Sequence, residues 1–194
     1  MLTETERIIE IVAAIFDRLS ITYLIGGSVA SGIHGVYRYT NDIDFVADIP
    51  IEKVTPLVGA LKDFYADDEM ILDAVETNTS FSILHLELMI KVDVFLKEHD
   101  AWSDEVWRRR EFAEVSTDGE VKAFLPSSED AILQKIRWFV LGNGVSDRQW
   151  GDILGMLKAR ANKLDYAYLR AWASRLGLLD LLEKAMGAAH VIDP

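Results

Sequence analysis

Residues 23–48 read YLIGGSVASGIHGVYRYTNDIDFVAD and contain two local patterns. In the first, a short apolar run ends at Gly26-Gly27-Ser28, a turn whose glycines let backbone N–H groups approach a ligand with no Cβ in the way. Ser28 can cap the helix predicted to follow, whose first N–H groups favour an anion. This half of the stretch therefore predicts a strand, a turn suited to phosphate, and a short helix.

The second pattern predicts a strand that carries two carboxylates. Ile43, Phe45 and Ala47 alternate with Asp42, Asp44 and Val46, which is the period of a half-buried strand. Asp42 and Asp44 therefore share one face. Two such side chains can converge on cations about 4 Å apart in a two-metal site. Hard oxygen ligands suit Mg²⁺, which usually brings substrate phosphates as further ligands.

Each pattern also has a simpler explanation. A Gly-Gly-Ser turn is most often a tight turn with a helix cap, and an Asp-x-Asp on a strand is usually a solvated face. Here the two occur together, with Asp42 fourteen residues after Ser28. Their combination favours a functional site over two unrelated surface features.

This combination resembles the signature of the DNA polymerase β-type nucleotidyltransferase superfamily. The residues that carry the resemblance are Gly26-Gly27-Ser28 and Arg38-x-Thr40-x-Asp42-x-Asp44. Within the superfamily the stretch is most similar to the minimal bacterial nucleotidyltransferases and the abortive-infection toxins of the AbiEii type. The resemblance implies an α/β (α+β) nucleotidyltransferase fold, with a mixed β-sheet flanked by helices and a C-terminal helical domain.

The resemblance also implies an activity and its site residues. A nucleoside monophosphate would pass from a nucleoside triphosphate (NTP) such as ATP to an acceptor hydroxyl, with release of pyrophosphate and with two Mg²⁺ ions as cofactors. Asp42 and Asp44 would bind the metals. The nucleotide would be bound by the other members of the signature, which are Gly26, Gly27, Ser28, Arg38 and Thr40.

A third carboxylate lies on a predicted strand over residues 89–96, which follows another at 81–86. Aliphatic residues alternate there with Lys91, Asp93 and Phe95, so Asp93 projects from the opposite face. A carboxylate between two valines is unfavourable unless it is solvated, paired or bound to metal. A solvent-facing outer strand would also explain it, but the resemblance implies that Asp93 is the third metal ligand and helps to remove the acceptor proton. Glu87, in a predicted turn, is the reserve candidate.

From residue 126 to its end, the chain is predicted to be wholly helical. We therefore expect a nucleotidyltransferase domain at residues 1–125 and a helical domain at 126–194, with Ser127 or Ser128 as the first cap. Lys135 and Asp152 fall on two of these helices and would ordinarily be solvated polar positions. Later motifs of the AbiEii-like toxins imply instead that Lys135 neutralises triphosphate charge and that Asp152 orients Lys135 or the acceptor.

Weaker signals complete the first half. Thr3-x-x-Glu6 is a capping box ahead of a helix, residues 52–63 predict another helix, and Asp118-Gly119 predicts a hairpin turn. Residues 64–69 give no assignment. The arginines at 108–110 are flanked by glutamates, which favours a salt-bridged surface over an RNA contact.

Composition restricts the possible functions. The chain has 194 residues and is 50% apolar, which is ample for a core, and it has no cysteine for disulfides or thiolate metal sites. With 32 acidic against 20 basic residues, its net charge of −12 disfavours broad nucleic-acid binding. No charge-free run is long enough to cross a membrane and no signal peptide is evident, so we expect a cytoplasmic protein.

Three hypotheses about function remain open from the sequence. The chain is a toxin that modifies RNA, most plausibly tRNA, and has a cognate antitoxin protein; or it modifies a small molecule or a protein, with a cationic acceptor favoured by the negative charge. The third hypothesis is an inactive nucleotide-binding regulator. The presence of Asp42, Asp44 and Asp93 argues against the third, because carboxylates that repel one another are unfavourable without a metal.

Overall fold

The computed structural model describes residues 2–35, 40 and 42–191. Short 3₁₀ helices occur at Ile51–Lys53 and Ala161–Lys163. The other elements, in chain order, are α1 (Glu4–Leu19), β1 (Thr22–Ile25), α2 (Gly27–His34), β2 (Ile43–Asp48), α3 (Val54–Ala60), β3 (Phe64–Tyr65), α4 (Asp68–Thr77), β4 (Ser80–His85), β5 (Lys91–Leu96), α5 (Ala101–Arg109), β6 (Glu111–Glu114), β7 (Lys122–Leu125), α6 (Ser128–Leu141), α7 (Asp147–Arg160), α8 (Tyr166–Arg175) and α9 (Leu179–Ala189).

These residues form two compact units. Unit 1 contains the described residues of 2–29 and 40–125, and unit 2 contains those of 30–35 and 126–191. The sequence-based division at residue 126 did not assign residues 30–35, the end of α2, to the helical part.

Unit 1 is built on a mixed sheet, as predicted. Within the described residues its strand order is β1-β2-β5-β4-β3. The central pair β2 and β5 is parallel, whereas the other neighbours are antiparallel. The predicted hairpin is present as a separate antiparallel pair, β6 and β7.

The core of unit 1 lies between this sheet and α1. The capping box at Thr3 and Glu6 is present, and it starts a helix whose apolar stripe is buried. Phe16 of α1 packs against Tyr23 of β1 and Phe45 of β2, with ring centroids 5.6 and 5.5 Å apart respectively. Since Phe45 points into this core, Asp44 projects from the other face of β2.

Two parts of unit 1 differ from expectation. The helix expected at 52–63 is a 3₁₀ turn followed by α3, which ends at Ala60 before the chain enters β3. Helix α4 follows the stretch left unassigned, and Asp67 caps it by accepting a hydrogen bond from the Met70 N–H. The sequence pattern did not identify Asp67 as a helix cap because the residues around it are acidic and aromatic, although Asp67 caps the helix in the ordinary way.

Unit 2 consists of α6 to α9 and the end of α2, and its helices begin where the sequence indicated. Ser127 caps α6 and Ser146 caps α7, each accepting a hydrogen bond from a backbone N–H three residues later. Arg160 of α7 donates to the carbonyls of Ile33 and His34 and so satisfies the last turn of α2. Among the described residues, no helix has the length and apolar character needed to span a membrane.

Candidate active site

The glycine turn connects β1 directly to α2. The helix begins at Gly27, so Ser28 lies inside its first turn rather than at the predicted cap position. Only 8% of the Ser28 surface is exposed. The serine therefore remains next to the first N–H groups of α2, although it does not cap them.

The turn is fitted closely to the second carboxylate of the Asp-x-Asp. The Gly26 N–H donates to the backbone carbonyl of Asp44 over 2.8 Å. Gly27 has a φ of +55°, and a Cβ added there would lie 1.8 Å from Asp44 Oδ2. Glycine is required for two reasons: any other residue would be strained at this positive φ, and its Cβ would overlap the Asp44 carboxylate.

Asp44 and Asp93 lie side by side. They are register partners on the parallel strands β2 and β5, which places them on one face of the sheet at the usual strand spacing of about 4.8 Å. Asp42 is exposed and precedes β2 by one residue. Since Ile43 pairs with Val92, Asp42 is level with Lys91.

The turn before β2 is shaped by Thr40. Its hydroxyl accepts a hydrogen bond from the Asp42 N–H at 3.2 Å, and its carbonyl accepts one from the Thr5 hydroxyl, also at 3.2 Å. Thr40 therefore acts on the backbone that presents Asp42. Arg38, also predicted to bind nucleotide, lies outside the described residues.

Both oxygens of Asp93 have partners within unit 1. The Ser82 hydroxyl donates to Oδ1 over 2.5 Å, and the ammonium of Lys91 lies 2.8 Å from Oδ2. The hydrogen bond to Asp93 raises the pKa of Lys91 against the opposing effect of burial, and the charges of Asp93, Asp42 and Asp44 raise it further. All three predicted carboxylates thus act on one cation.

Sequence reasoning missed both partners of Asp93. The alternation along β5 places Lys91 on the same face two residues earlier, so that pattern contained a signal for it. Ser82 has no comparable signal, because its contact depends on the register of β4 against β5, where it pairs with Asp93. The reserve candidate, Glu87, is exposed in the turn between these strands.

The donor set fits a hard divalent cation in its chemistry. Carboxylate oxygens share one face, and a positive charge is already held there by Lys91. Over residues 2–35, 40 and 42–191, however, no three His, Cys, Asp or Glu side chains are grouped closely enough to hold a metal ion.

In unit 2, the structure brings Lys135 and Asp152 together. Lys135 Nζ lies 3.1 Å from Asp152 Oδ2, and the two side chains are 10% and 11% exposed. Helices α6 and α7 supply one residue each. The two side chains are therefore in contact, whereas the roles expected of them, toward the triphosphate for Lys135 and toward Lys135 or the acceptor for Asp152, stay predictions.

Comparison with known proteins finds solved structures of similar fold. No family model matches the sequence, and no curated protein matches it. The solution structure of the antibiotic-resistance factor ANT(2'')-Ia matches with a TM-score of 0.55 and 15% identity, over 95% of this chain and 99% of that one. A nucleotidyltransferase-like protein from Paracoccidioides brasiliensis matches with a TM-score of 0.54 and 18% identity, over 97% and 94%.

A third solved structure is that of the lincosamide antibiotic adenylyltransferase LnuA with lincomycin bound. It matches with a TM-score of 0.51 and 15% identity, over 80% of this chain and 96% of that one. At these identities the likeness establishes the fold alone. The chain has the nucleotidyltransferase fold, which confirms the predicted fold class.

Proposed function

We propose that the protein is a metal-dependent nucleotidyltransferase that moves a nucleoside monophosphate from an NTP to a hydroxyl of a small-molecule acceptor, releasing pyrophosphate. One observation carries this proposal. Asp44 and Asp93 are register partners on parallel strands, and the glycine turn is fitted against Asp44. Two carboxylates on one sheet face beside a helix N-terminus are what binding of a metal-bound triphosphate requires.

The carboxylates have separate roles in this proposal. Asp42 and Asp44 hold the Mg²⁺ ions, and Asp93 adds a ligand and accepts the proton of the attacking hydroxyl. Bound Mg²⁺ supplies charge neutralisation on the triphosphate. Ser82 keeps Asp93 in orientation through its hydrogen bond.

The phosphate contacts come from the start of α2. Because the Gly26 N–H is already donated to Asp44, Gly26 serves to hold the turn in place. The Ser28 hydroxyl and the first-turn N–H groups are then the donors proposed for the β- and γ-phosphates. The roles of Arg38, Lys135 and Asp152 toward the nucleotide rest on the resemblance of their motifs alone.

A small-molecule acceptor is favoured by two facts. One neighbour was solved with lincomycin and another, ANT(2'')-Ia, in complex with adenylyl-2''-tobramycin. The net charge of −12 favours a neutral or cationic acceptor over RNA. Of the arginines considered for RNA contact, Arg108 is paired with Glu105 and Arg110 lies over the Phe124 ring. The tRNA and antitoxin hypotheses have no observation in their favour within the described part of the chain.

The test is transfer of label from each α-labelled NTP, with Mg²⁺, to a panel of aminoglycosides, lincosamides and other hydroxyl compounds, with total RNA as a separate arm. We expect labelled small molecules with the wild type and at least about a thousandfold lower kcat/KM for Asp44→Asn and Asp93→Asn. Asp48→Asn is the matched control, since Asp48 lies on the same face of β2, about 13 Å along the strand.

The control variant should stay within about twofold of the wild type. Equal rates for Asp44→Asn and the wild type would refute the metal role of Asp44. Label in the RNA arm alone would refute the small-molecule acceptor and leave nucleotidyl transfer in place.

A further inference from the structure

Lys91 lies on the acidic face but has no part in the proposed chemistry. It is two residues before Asp93 on β5, so the two side chains share a face, and Nζ lies 2.8 Å from Asp93 Oδ2. The register also sets Lys91 level with Asp42 and Asp93 level with Asp44. Three carboxylates at neighbouring register positions and one ammonium thus form a block across β2 and β5, and we call the carboxylates the acidic cluster (Asp42, Asp44, Asp93).

The charge balance of this block requires a cation. Carboxylates held on neighbouring strands repel each other, and a positive charge within a few ångströms relieves that repulsion. Lys91 supplies it, because its ammonium lies 2.8 Å from Asp93 Oδ2 and the residue is level with Asp42 across the strands. Lys91 therefore places a positive charge where the carboxylates need one.

We propose that Lys91 is the resident counter-ion of the acidic cluster and that a divalent cation displaces its ammonium from Asp93. This inference rests on the proposed function, since it takes the cluster to be the metal site. Asp93 Oδ1 accepts from the Ser82 hydroxyl and Oδ2 lies against the Lys91 ammonium, so a cation that binds at Oδ2 takes the place of the ammonium. Two cations at one oxygen repel, so the lysine has to leave.

Exposure makes this exchange feasible. The Lys91 side chain is 52% exposed, so the ammonium can move into water without crossing protein. An ion pair this exposed is weak, and Mg²⁺ has twice the charge for the same carboxylates. Lys91 thus stabilises the acidic cluster without metal, and its ammonium is displaced when Mg²⁺ binds.

The first test measures Mg²⁺ affinity by calorimetry on the full chain without nucleotide. We expect Lys91→Met to bind Mg²⁺ about two- to fivefold more tightly than the wild type, because no ion pair has to be broken first. Lys122→Met is the matched control: Lys122 is 51% exposed and pairs with Glu114 on the other sheet of unit 1. It removes the same charge from an equally exposed lysine, and Mg²⁺ affinity should not change.

The second test measures stability by urea unfolding with and without saturating Mg²⁺. Without metal, Lys91→Met should be less stable than the wild type, because the cluster loses its counter-ion. At saturating Mg²⁺ the two should have the same stability, since tighter binding offsets the initial loss by linkage. A difference that persists at saturation would show that the Lys91–Asp93 pair survives metal binding, and would overturn the inference.

The outcomes separate this inference from the proposed function. If Asp44→Asn loses Mg²⁺ binding while Lys91→Met binds as the wild type does or more weakly, the displacement is refuted and the metal site stands. If Asp44→Asn binds Mg²⁺ as tightly as the wild type does, or if no variant binds Mg²⁺, the metal site itself is refuted. The proposed displacement of Lys91 is then refuted as well.

Discussion

Replacing Gly27 by alanine tests the fit between the glycine turn and the acidic cluster. The structure makes two demands on this position. A φ of +55° is unfavourable for an L-residue, and the new Cβ would lie 1.8 Å from Asp44 Oδ2 and 2.6 Å from its Cγ. Ordinary contact begins near 3.4 Å, so the carboxylate oxygen has to move by about 1.6 Å if the backbone stays in place.

The expected effects on stability and activity differ in size. A left-handed alanine costs about 1–2 kcal/mol, which a domain of ordinary stability tolerates. Misplacing a reacting group by 1 Å can lower the rate about a hundredfold, and Asp44 has to move further. We therefore expect Gly27→Ala to remain folded, to lose about 1–3 kcal/mol of unfolding free energy, and to lose at least about a hundredfold in kcat/KM for nucleotidyl transfer.

Urea unfolding and label transfer measure the two effects. Gly59→Ala is the control, because Gly59 lies in α3 with nothing within 4 Å of an added Cβ, and it should be neutral or slightly stabilising. In an Asp44→Ala background the Oδ2 and Cγ overlaps vanish, so the stability loss from Gly27→Ala should fall toward the backbone contribution. A Gly27→Ala protein with kcat/KM within threefold of the wild type would refute the reasoning.

Three further predictions follow from other contacts. Lys135→Met should lower the unfolding free energy by about 3–5 kcal/mol, because it removes the ammonium that lies 3.1 Å from the largely shielded Asp152 carboxylate, and Lys135→Met/Asp152→Leu should lose less; urea unfolding of both variants decides this. Glu6→Gln should be less stable by about 1–3 kcal/mol at neutral pH. Burial raises the Glu6 pKa, but the hydrogen bonds from Thr3 and Thr117 lower it overall, so in urea unfolding across pH this difference should shrink as pH falls below the ordinary glutamate pKa of 4.5. Thr40→Val should reduce kcat/KM while changing stability by less than about 1 kcal/mol, because it removes the hydroxyl that holds the Asp42 N–H; unfolding and label transfer together test it.

Local signals in the sequence predicted much of unit 1 and unit 2. The capping box at Thr3 and Glu6, the alternation along β2 and the serine before α6 each depend on residues a few positions apart. Such patterns follow from helix and strand geometry and need no tertiary information. They failed where a short element begins in an atypical composition, as at α4, or where a helix ends early, as at α3.

The site was predicted less completely, because its contacts join distant segments. The alternation of side chains along β2 and β5 predicts that Asp44 and Asp93 project from the polar face of each strand. Their pairing, however, depends on the register of two strands that are separated in the chain by α3, β3, α4 and β4. The contact of Ser82 with Asp93 depends on a further register. Nothing in a single sequence fixes such registers directly, which is why the partners of Asp93 emerged only from the structure.

The packing of the sheet nevertheless disfavours a shift of that register by one residue. Ile43, Phe45 and Ala47 of β2 are fully buried, and Val92 and Val94 of β5 are buried in the same face. A slip of one residue in either strand would turn its aliphatic side chains to solvent and drive Asp44 or Asp93 into the core around Phe16. Such a slip would remove several buried aliphatic groups from the core, at about 1.5–3 kcal/mol each, and would bury an unpaired charge as well. The same hydrophobic pattern that folds unit 1 therefore holds the two carboxylates side by side. Substitutions on the apolar face of β2 or β5 that allow the strands to shift should accordingly alter metal affinity before they unfold the protein.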